Sequence, residues 1–234
     1  MGDFLVAMPP KNHPKISWSE LGVNHLNCPL DLCRPFGIIA PVNTTREQII
    51  QTTCSLLEKQ GYHATGMNEI IQASGAPKGS LYYYFPSGKE ELAEAAIDES
   101  AAQIAAFARS YLAPFADPAA AIQALVEQIA DNIEASHYCV GGPLTTVAME
   151  TAASSARLNQ ACQSGFREIQ GVFAEKLIAC GFEPELASQL AVYIHAAIEG
   201  GVLLSRTAHS GDPLRSVAVL LGPTLRSYQP ASSD

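Results

Sequence analysis

The sequence predicts an all-α protein, and three observations carry that reading. From Thr44 onward apolar residues recur with the 3.6-residue period of a helix. The breaks between periodic stretches hold helix stops and starts: Gly61, Gly75, Pro86-Ser87-Gly88, Asp117-Pro118, Val140 to Pro143, Glu183-Pro184 and His209 to Pro213. No pair of alternating runs is joined by a tight hairpin turn.

Each element follows from these signals. Thr44 or Thr45 can cap a first helix, with Glu47 or Gln48 at the third position after it. Ile49, Ile50, Thr53, Leu56 and Leu57 form one face, and Gly61 stops it. A short second helix fits Met67 to Ser74, with Ile70 and Ile71 inward and Gly75 as its stop. A third fits Lys78 to Phe85, and a long fourth runs from near Lys89 to about Tyr111. Asp117-Pro118 opens a fifth, to about Ser136, and the glycine break after it leads to a short sixth, to about Ala152. The seventh begins at Ser154 or Ser155 and ends at Gly181. Glu183-Pro184 opens the eighth, to about Arg206, and the ninth covers Leu214 to about Ser227.

Residues 1–42 do not share this pattern. They carry Pro9, Pro10, Pro14, Pro29, Pro35 and Pro41 and show neither helical nor strand periodicity. Proline removes backbone donors and bars the preceding residue from the helical region, so the expectation is an irregular extension. It reads as a translated leader with the biological start near Val42. The chain divides on this reading into the extension at 1–42, a reading module at 43–89 and a second domain at 90–234.

Composition narrows the class. The chain has 234 residues, 47% hydrophobic and 16% charged, with net charge −9. So apolar a chain leaves surface to be covered by a partner or to line a cavity. The negative balance argues against coating nucleic acid by bulk charge, but a small reading module inside an acidic body is compatible with it. The six cysteines form no C-x-x-C pair and no zinc-spaced cluster with histidine, which predicts free thiols in a reducing cytoplasm. No run reaches the roughly 18 consecutive apolar residues of a membrane span, and no signal peptide is legible. No P-loop, dinucleotide fingerprint or nucleophile elbow appears, so neither an enzyme nor a cofactor is expected. Glu134-x-x-His137 has di-iron spacing, but such sites need a second copy and two more carboxylates on facing helices, and none is found.

Three short helices with a tight glycine turn between the last two have the layout of a helix-turn-helix. In that layout the last helix enters a major groove. Leu81 and Phe85, four apart, face inward. Lys78, Gly79, Ser80, Tyr82 and Tyr83 then lie on the outward side, and Tyr84 is ambiguous. Gly79 permits close approach, Ser80 and Lys78 can reach base edges or phosphate, and tyrosine hydroxyls donate to phosphate oxygens.

The stretch Gly61 to Ala93, "GYHATGMNEIIQASGAPKGSLYYYFPSGKEELA", closely resembles the DNA-binding domain of TetR-family transcriptional regulators. Within that family it is most similar to the LmrA/YxaF-like branch. The close likeness covers Thr44 to Ala93. The resemblance implies a three-helix reader, a helical C-terminal ligand-binding domain and a homodimer joined through the last two long helices. It marks Thr65, Pro77, Lys78, Gly79, Ser80, Tyr82, Tyr83 and Tyr84 as facing DNA, and Lys89 as a phosphate contact. Tyr84 stands where the family usually has His, Gly66 where it has a Ser or Thr cap, and Pro77 where serine is common. The implied partners are double-stranded operator DNA, a small-molecule effector and a second copy of the chain, with no membrane. The implied function is a repressor released from a palindromic operator by a small apolar or aromatic molecule that tilts the fourth helix, with an activator of the same fold as the alternative. Pocket candidates are Phe107, Met149, Phe166, Phe173, Tyr193, His195 and Glu199. Two stripes mark the dimer seam: Leu186, Leu190, Ile194, Ala197 and Gly201 on the eighth helix, and Leu214, Val217 and Leu221 on the ninth.

Overall fold

The computed structural model describes residues 44–139 and 141–229. The extension and leader expected at 1–42, with Cys28 and Cys33, lie outside them. The described residues form nine helices and no strand: α1 (Thr45–Ala64), α2 (Met67–Ser74), α3 (Lys78–Tyr84), α4 (Lys89–Leu112), α5 (Pro118–Ala135), α6 (Pro143–Thr151), α7 (Ala156–Ala179), α8 (Pro184–Ala208) and α9 (Asp212–Ser227).

Local chemistry sets the ends. Thr44 caps α1 reciprocally with Glu47: the threonine hydroxyl accepts from Glu47 N at 3.2 Å, and Glu47 Oε2 accepts from Thr44 N at 3.1 Å. Gly61, at φ +78, interrupts α1, which runs one further turn to Ala64. Gly75 takes the left-handed conformation that turns α2 into α3. Asp117 caps α5 through Ala119 N at 3.0 Å, and Ser155 caps α7 through Leu158 N at 3.0 Å.

The helices α1 to α3 pack around Ile49, Leu57, Ile70, Leu81, Phe85 and Leu92, all at most 1% exposed. Burial of side chains of this size contributes about 2 kcal/mol each. In the rest of the chain α4 packs on α7, α5 on α9, and α8 lies against both α7 and α9. Gly165 allows the three-way junction of α4, α6 and α7, since a Cβ there would meet Leu144 at 2.6 Å and Ala101 at 2.9 Å. α1 is the bridge between the two halves, packing on α4 and α6.

One helix has the composition of a membrane span, and one sequence reading changes here. α8 is long and apolar enough, at mean hydropathy 1.3, to cross a membrane by length and composition alone. Counting unbroken apolar runs overlooked it because Ser188, Gln189, His195 and Glu199 interrupt the helix. The expected dimer stripes also lie inside the chain. Leu190, Ile194, Gly201, Leu214 and Leu221 are buried, and Leu186, Ala197 and Val217 are half-buried against the same core. Gly201 makes room for Leu214 of its own chain, whose Cδ2 would sit 2.8 Å from an added Cβ. The exposed apolar side chains on these two helices are instead Val192, Tyr193, Leu203 and Leu204 on α8, and Val219 and Leu220 on α9.

Glu134 fastens α5 to α9. It accepts from Arg215 at 2.7 and 2.8 Å and from Gly211 N at 2.8 Å, and these donors hold its carboxyl at about 2. Its pairing with Arg215 takes it out of the di-iron reading. Among the described residues no group of three metal-ligating side chains occurs. A carboxyl with a depressed folded pKa supplies stability above its ordinary value near 4.5 and loses it as pH falls toward 2. We therefore expect urea unfolding of Arg215→Ala to show lower stability than wild type at pH 7, with the gap narrowing below pH 4.5. A gap independent of pH would contradict this account of the clamp.

Candidate nucleic-acid interface and cavity

The glycine turn and the inward residues of α3 position its outer face. Gln48 Nε2 donates to Ser74 O at 2.7 Å and ties α1 to the end of α2. Ser74 Oγ accepts from Ala76 N at 3.3 Å and shapes the turn. Leu81 and Phe85 then anchor α3 from below, with Arg46 5.5 Å from the Phe85 ring centre. Pro77, Lys78 and Gly79 are exposed, Ser80 is half-buried, and Tyr82 and Tyr83 are 46% and 79% exposed. Tyr84 turns back: it is half-buried against the core, edge-on to Tyr83 at 5.1 Å. A Cβ on Gly79 would meet nothing within 4 Å. The interior of this chain therefore gives no reason for glycine at that point of a helix, where glycine lowers stability relative to alanine.

Two residues expected on this face are placed elsewhere. Thr65 is a correction: it is 1% exposed, and its hydroxyl donates to Gly61 O at 2.7 Å, closing the end of α1. Lys89 is half-buried, with Nζ 4.2 Å above the Tyr62 ring and 3.5 Å from His63 O. Burial pulls its pKa down, against the opposing pull of Glu150.

A second site lies in the other half. A cavity of about 60 Å³ is bounded by α4, α5, α6, α7, α8 and the Gly141-Gly142 turn. Of the pocket candidates, Phe107, Phe166, Phe173, His195 and Glu199 line it. Met149 and Tyr193 do not; Met149 stands 78% exposed on the outside of α6, and Tyr193 points outward from α8. Sequence reading missed Ile104, Leu125, Ile129, Asn132, Thr145 and Ile198. Asn132 had a signal: it follows Leu125 and Ile129 at helical spacing, a polar interruption of an apolar face. The polar groups on one wall form a linked set. Thr145 Oγ1 donates to Glu199 Oε2 at 2.6 Å, Glu199 Oε1 lies 3.4 Å from His195 Nε2, and Gln170 Nε2 lies 3.3 Å from His195 Nδ1.

The cavity touches α1 through two carboxylates. Glu58, 2% exposed on α1, accepts from Gly141 N at 2.9 Å and Gly142 N at 3.0 Å, and these glycines line the cavity. Glu150, at the far end of α6, accepts from His63 N at 2.9 Å. Between those ends α6 turns Leu144 and Thr145 toward the cavity. Burial pushes the Glu58 carboxyl above its ordinary value, while the two glycine N–H groups, Arg206 and Lys59 oppose the shift. Cys54 and Cys162 are free thiols pushed by burial to about 12 and about 11, outside the reactive range.

A three-helix reader with an exposed tyrosine face, set on a helical body with a largely apolar cavity, has the build of a DNA-binding transcriptional regulator. The chain belongs to the TetR family. Residues 49–96 match the family description "Bacterial regulatory proteins, tetR family", and residues 118–219 match "Transcriptional regulator LmrA/YxaF-like, C-terminal domain". The chain is 40% identical over 174 residues to the uncharacterized HTH-type transcriptional regulator YxaF of Bacillus subtilis, covering 74% of this chain and 91% of the relative. It is 37% identical over 182 residues to the HTH-type transcriptional regulator LmrA of the same organism, covering 78% and 97%. Among solved structures, a TetR transcriptional regulator from Chloroflexus aurantiacus aligns with a TM-score of 0.65 at 28% identity, over 78% of this chain and 94% of that one. The reduced form of E. coli NemR shares the fold, with a TM-score of 0.67 at 20% identity, over 82% and 100% of the chains. The family is one of regulators, not enzymes.

The Glu58 seam makes a testable statement about stability. A carboxyl whose folded pKa is raised favours the fold fully below the ordinary value of 4.5 and progressively less as pH rises through the folded pKa. Glu58→Gln fixes the neutral form. The wild type should therefore lose stability relative to Glu58→Gln as pH rises from 5 to 8, measured by chemical unfolding at each pH. Parallel curves would show that burial does not penalise the charge.

Proposed function

We propose that the protein is a ligand-released repressor: a homodimer that holds a palindromic operator through α3 and lets go when a small apolar or aromatic molecule occupies the cavity. The observation that carries the DNA-contacting reading is Gly79. Among the described residues nothing lies within 4 Å of where its Cβ would be, yet it keeps α3 free of a side chain between exposed Lys78 and Tyr82. A duplex backbone or base edge is the natural occupant of that space.

The second copy meets the exposed apolar face of α8 and α9. Leu203, Leu204, Val219 and Leu220 are exposed among the described residues, and Gly200 on the same helix as Leu203 has open space where a Cβ would be. Two copies place two reading helices about 34 Å apart or a multiple of it, one half-site each. Ligand in the cavity meets α4 through Ile104, Phe107 and Ala108, and meets α6 and the Gly141-Gly142 turn directly. Movement of either reaches α1, because α4 packs on it and Glu58 and Glu150 hold it to α6. A coupling of a few kcal/mol changes operator affinity by one to two orders of magnitude. The site of action is the cytoplasm, where the chromosome lies.

The test is fluorescence-anisotropy titration on duplexes tiled across the upstream region of the protein's own gene, against scrambled DNA at fixed salt. A specific site bound about 10³-fold tighter than scrambled DNA, and lost in Lys78→Ala and Tyr82→Ala, is expected. Binding unchanged by both substitutions would refute the role of α3. Gly79→Ala should stabilise the free protein by about 0.5 kcal/mol while weakening operator binding; equal or tighter binding would remove the observation on which the reading stands. Leu203→Glu combined with Leu220→Glu should give a monomer in light scattering that has lost operator affinity, and a persistent dimer would assign the seam to another face.

A further inference from the structure

We propose that the cavity takes a neutral, largely apolar molecule bearing a carbonyl-type oxygen, and that Asn132 is the residue that anchors it. This rests on the ligand-released reading and names the chemistry of its effector.

The polar atoms of the cavity divide into a satisfied set and an unsatisfied one. Thr145, Glu199 and His195 are joined to one another, Gln170 backs His195 from outside the lining, and both oxygens of Glu199 have partners. Asn132, on α5, is different. Its Oδ1 accepts from Gln128 Nε2 at 2.9 Å, which orients the amide, and its Nδ2 is buried without a partner. A buried donor left unpaired lowers stability, and leucine in the same place would continue the face of Leu125 and Ile129 without that cost. A polar group kept against the interest of the free protein marks a position that is completed by something else.

What completes an amide N–H is an acceptor. A hydrocarbon has none. A carboxylate has two, but no Lys or Arg is among the described residues that line the cavity, and the lining already contains the Glu199 carboxylate. Among the described lining residues only His195 can become a cation, and it already faces the Glu199 carboxylate at 3.4 Å, so a second buried anion would find no free counter-charge. A neutral carbonyl oxygen fits both constraints, with Phe107, Phe166, Phe173 and the aliphatic wall taking the apolar remainder. The free space is small, about 60 Å³, below the roughly 150 Å³ that holds one benzene ring, so even a single-ring molecule enters only as the walls yield, and Glu199, 34% exposed, stands where the space meets solvent. Single-ring molecules are the fitting probes.

Three probes of matched shape separate the possibilities: acetophenone, its hydrocarbon analogue cumene, and benzoate. Binding to the full-length protein is followed by ligand-observed NMR titration, for wild type and Asn132→Leu. We expect wild type to prefer acetophenone over cumene by about tenfold, the worth of one hydrogen bond to a buried donor, and to bind benzoate more weakly than either. In Asn132→Leu the preference should vanish or reverse while cumene still binds, and the ligand-free variant should melt at a higher temperature than wild type. Equal affinity for the ketone and the hydrocarbon in wild type, or an undiminished preference in Asn132→Leu, would overturn the role of Asn132 and leave the ligand-released reading intact. Benzoate binding as tightly as acetophenone would overturn the neutral class. A lower melting temperature for Asn132→Leu would make Asn132 an ordinary structural residue. If none of the three binds wild type, the inferred ligand class is overturned, while the ligand-released reading stands or falls on the operator titration.

Discussion

A carboxylate on the reading half of the molecule is buried against two backbone N–H groups on the cavity wall. That contact, Glu58 with Gly141 and Gly142, is the constraint around which the rest is arranged. Removing a carboxylate from water is costly unless donors replace the lost hydration. Two glycine amides from one tight turn supply them to Oε1, while Oε2 is buried without a partner, which is why burial still raises the carboxyl's pKa; Gly142, at φ +76, takes a conformation that glycine adopts without strain. The donors belong to the segment that leads into α6, so α1 and the cavity wall cannot move independently. Glu150 repeats the arrangement at the other end of α6, where its carboxylate receives His63 N beside the kink at Gly61.

The same logic separates what the reading face does from what the core does. Leu81 and Phe85 hold α3 in place and are spent on that task, at 0% and 1% exposure. Tyr82 and Tyr83 have no such task. A short helix presenting two tyrosines, a lysine and a bare glycine to solvent suits the operator contact proposed for it, and the modest local charge favours contact by shape and hydrogen bonding over bulk attraction. An acidic chain of net charge −9 is then no obstacle to a DNA reader.

Much of this was legible in the sequence, for identifiable reasons. Helix boundaries follow from local chemistry: the Thr44 cap, the proline starts at Pro118, Pro143 and Pro184, and the glycine stops. The inward and outward faces of α3 follow from period alone. The stripes of α8 and α9 were misread because a long apolar helix has two apolar faces, and periodicity does not say which one meets its own chain. Only packing assigns Leu190, Ile194 and Leu214 to the interior and Leu203, Leu204 and Leu220 to the surface. Thr65 was misplaced because its hydroxyl closes a helix end, a local hydrogen bond that a motif match does not reveal. Glu58 could not have been found from periodicity, since its partners lie more than eighty residues away in a loop.

The central claim is that one sequence-specific DNA site is read by two copies of α3. The most direct measurement is selection of bound duplexes from a random pool by the purified wild-type protein, followed by sequencing. The account predicts enrichment of an inverted repeat whose half-sites are separated by about one helical turn or a multiple of it. Recovery of duplexes with no common sequence, or of a single unrepeated half-site, would contradict it.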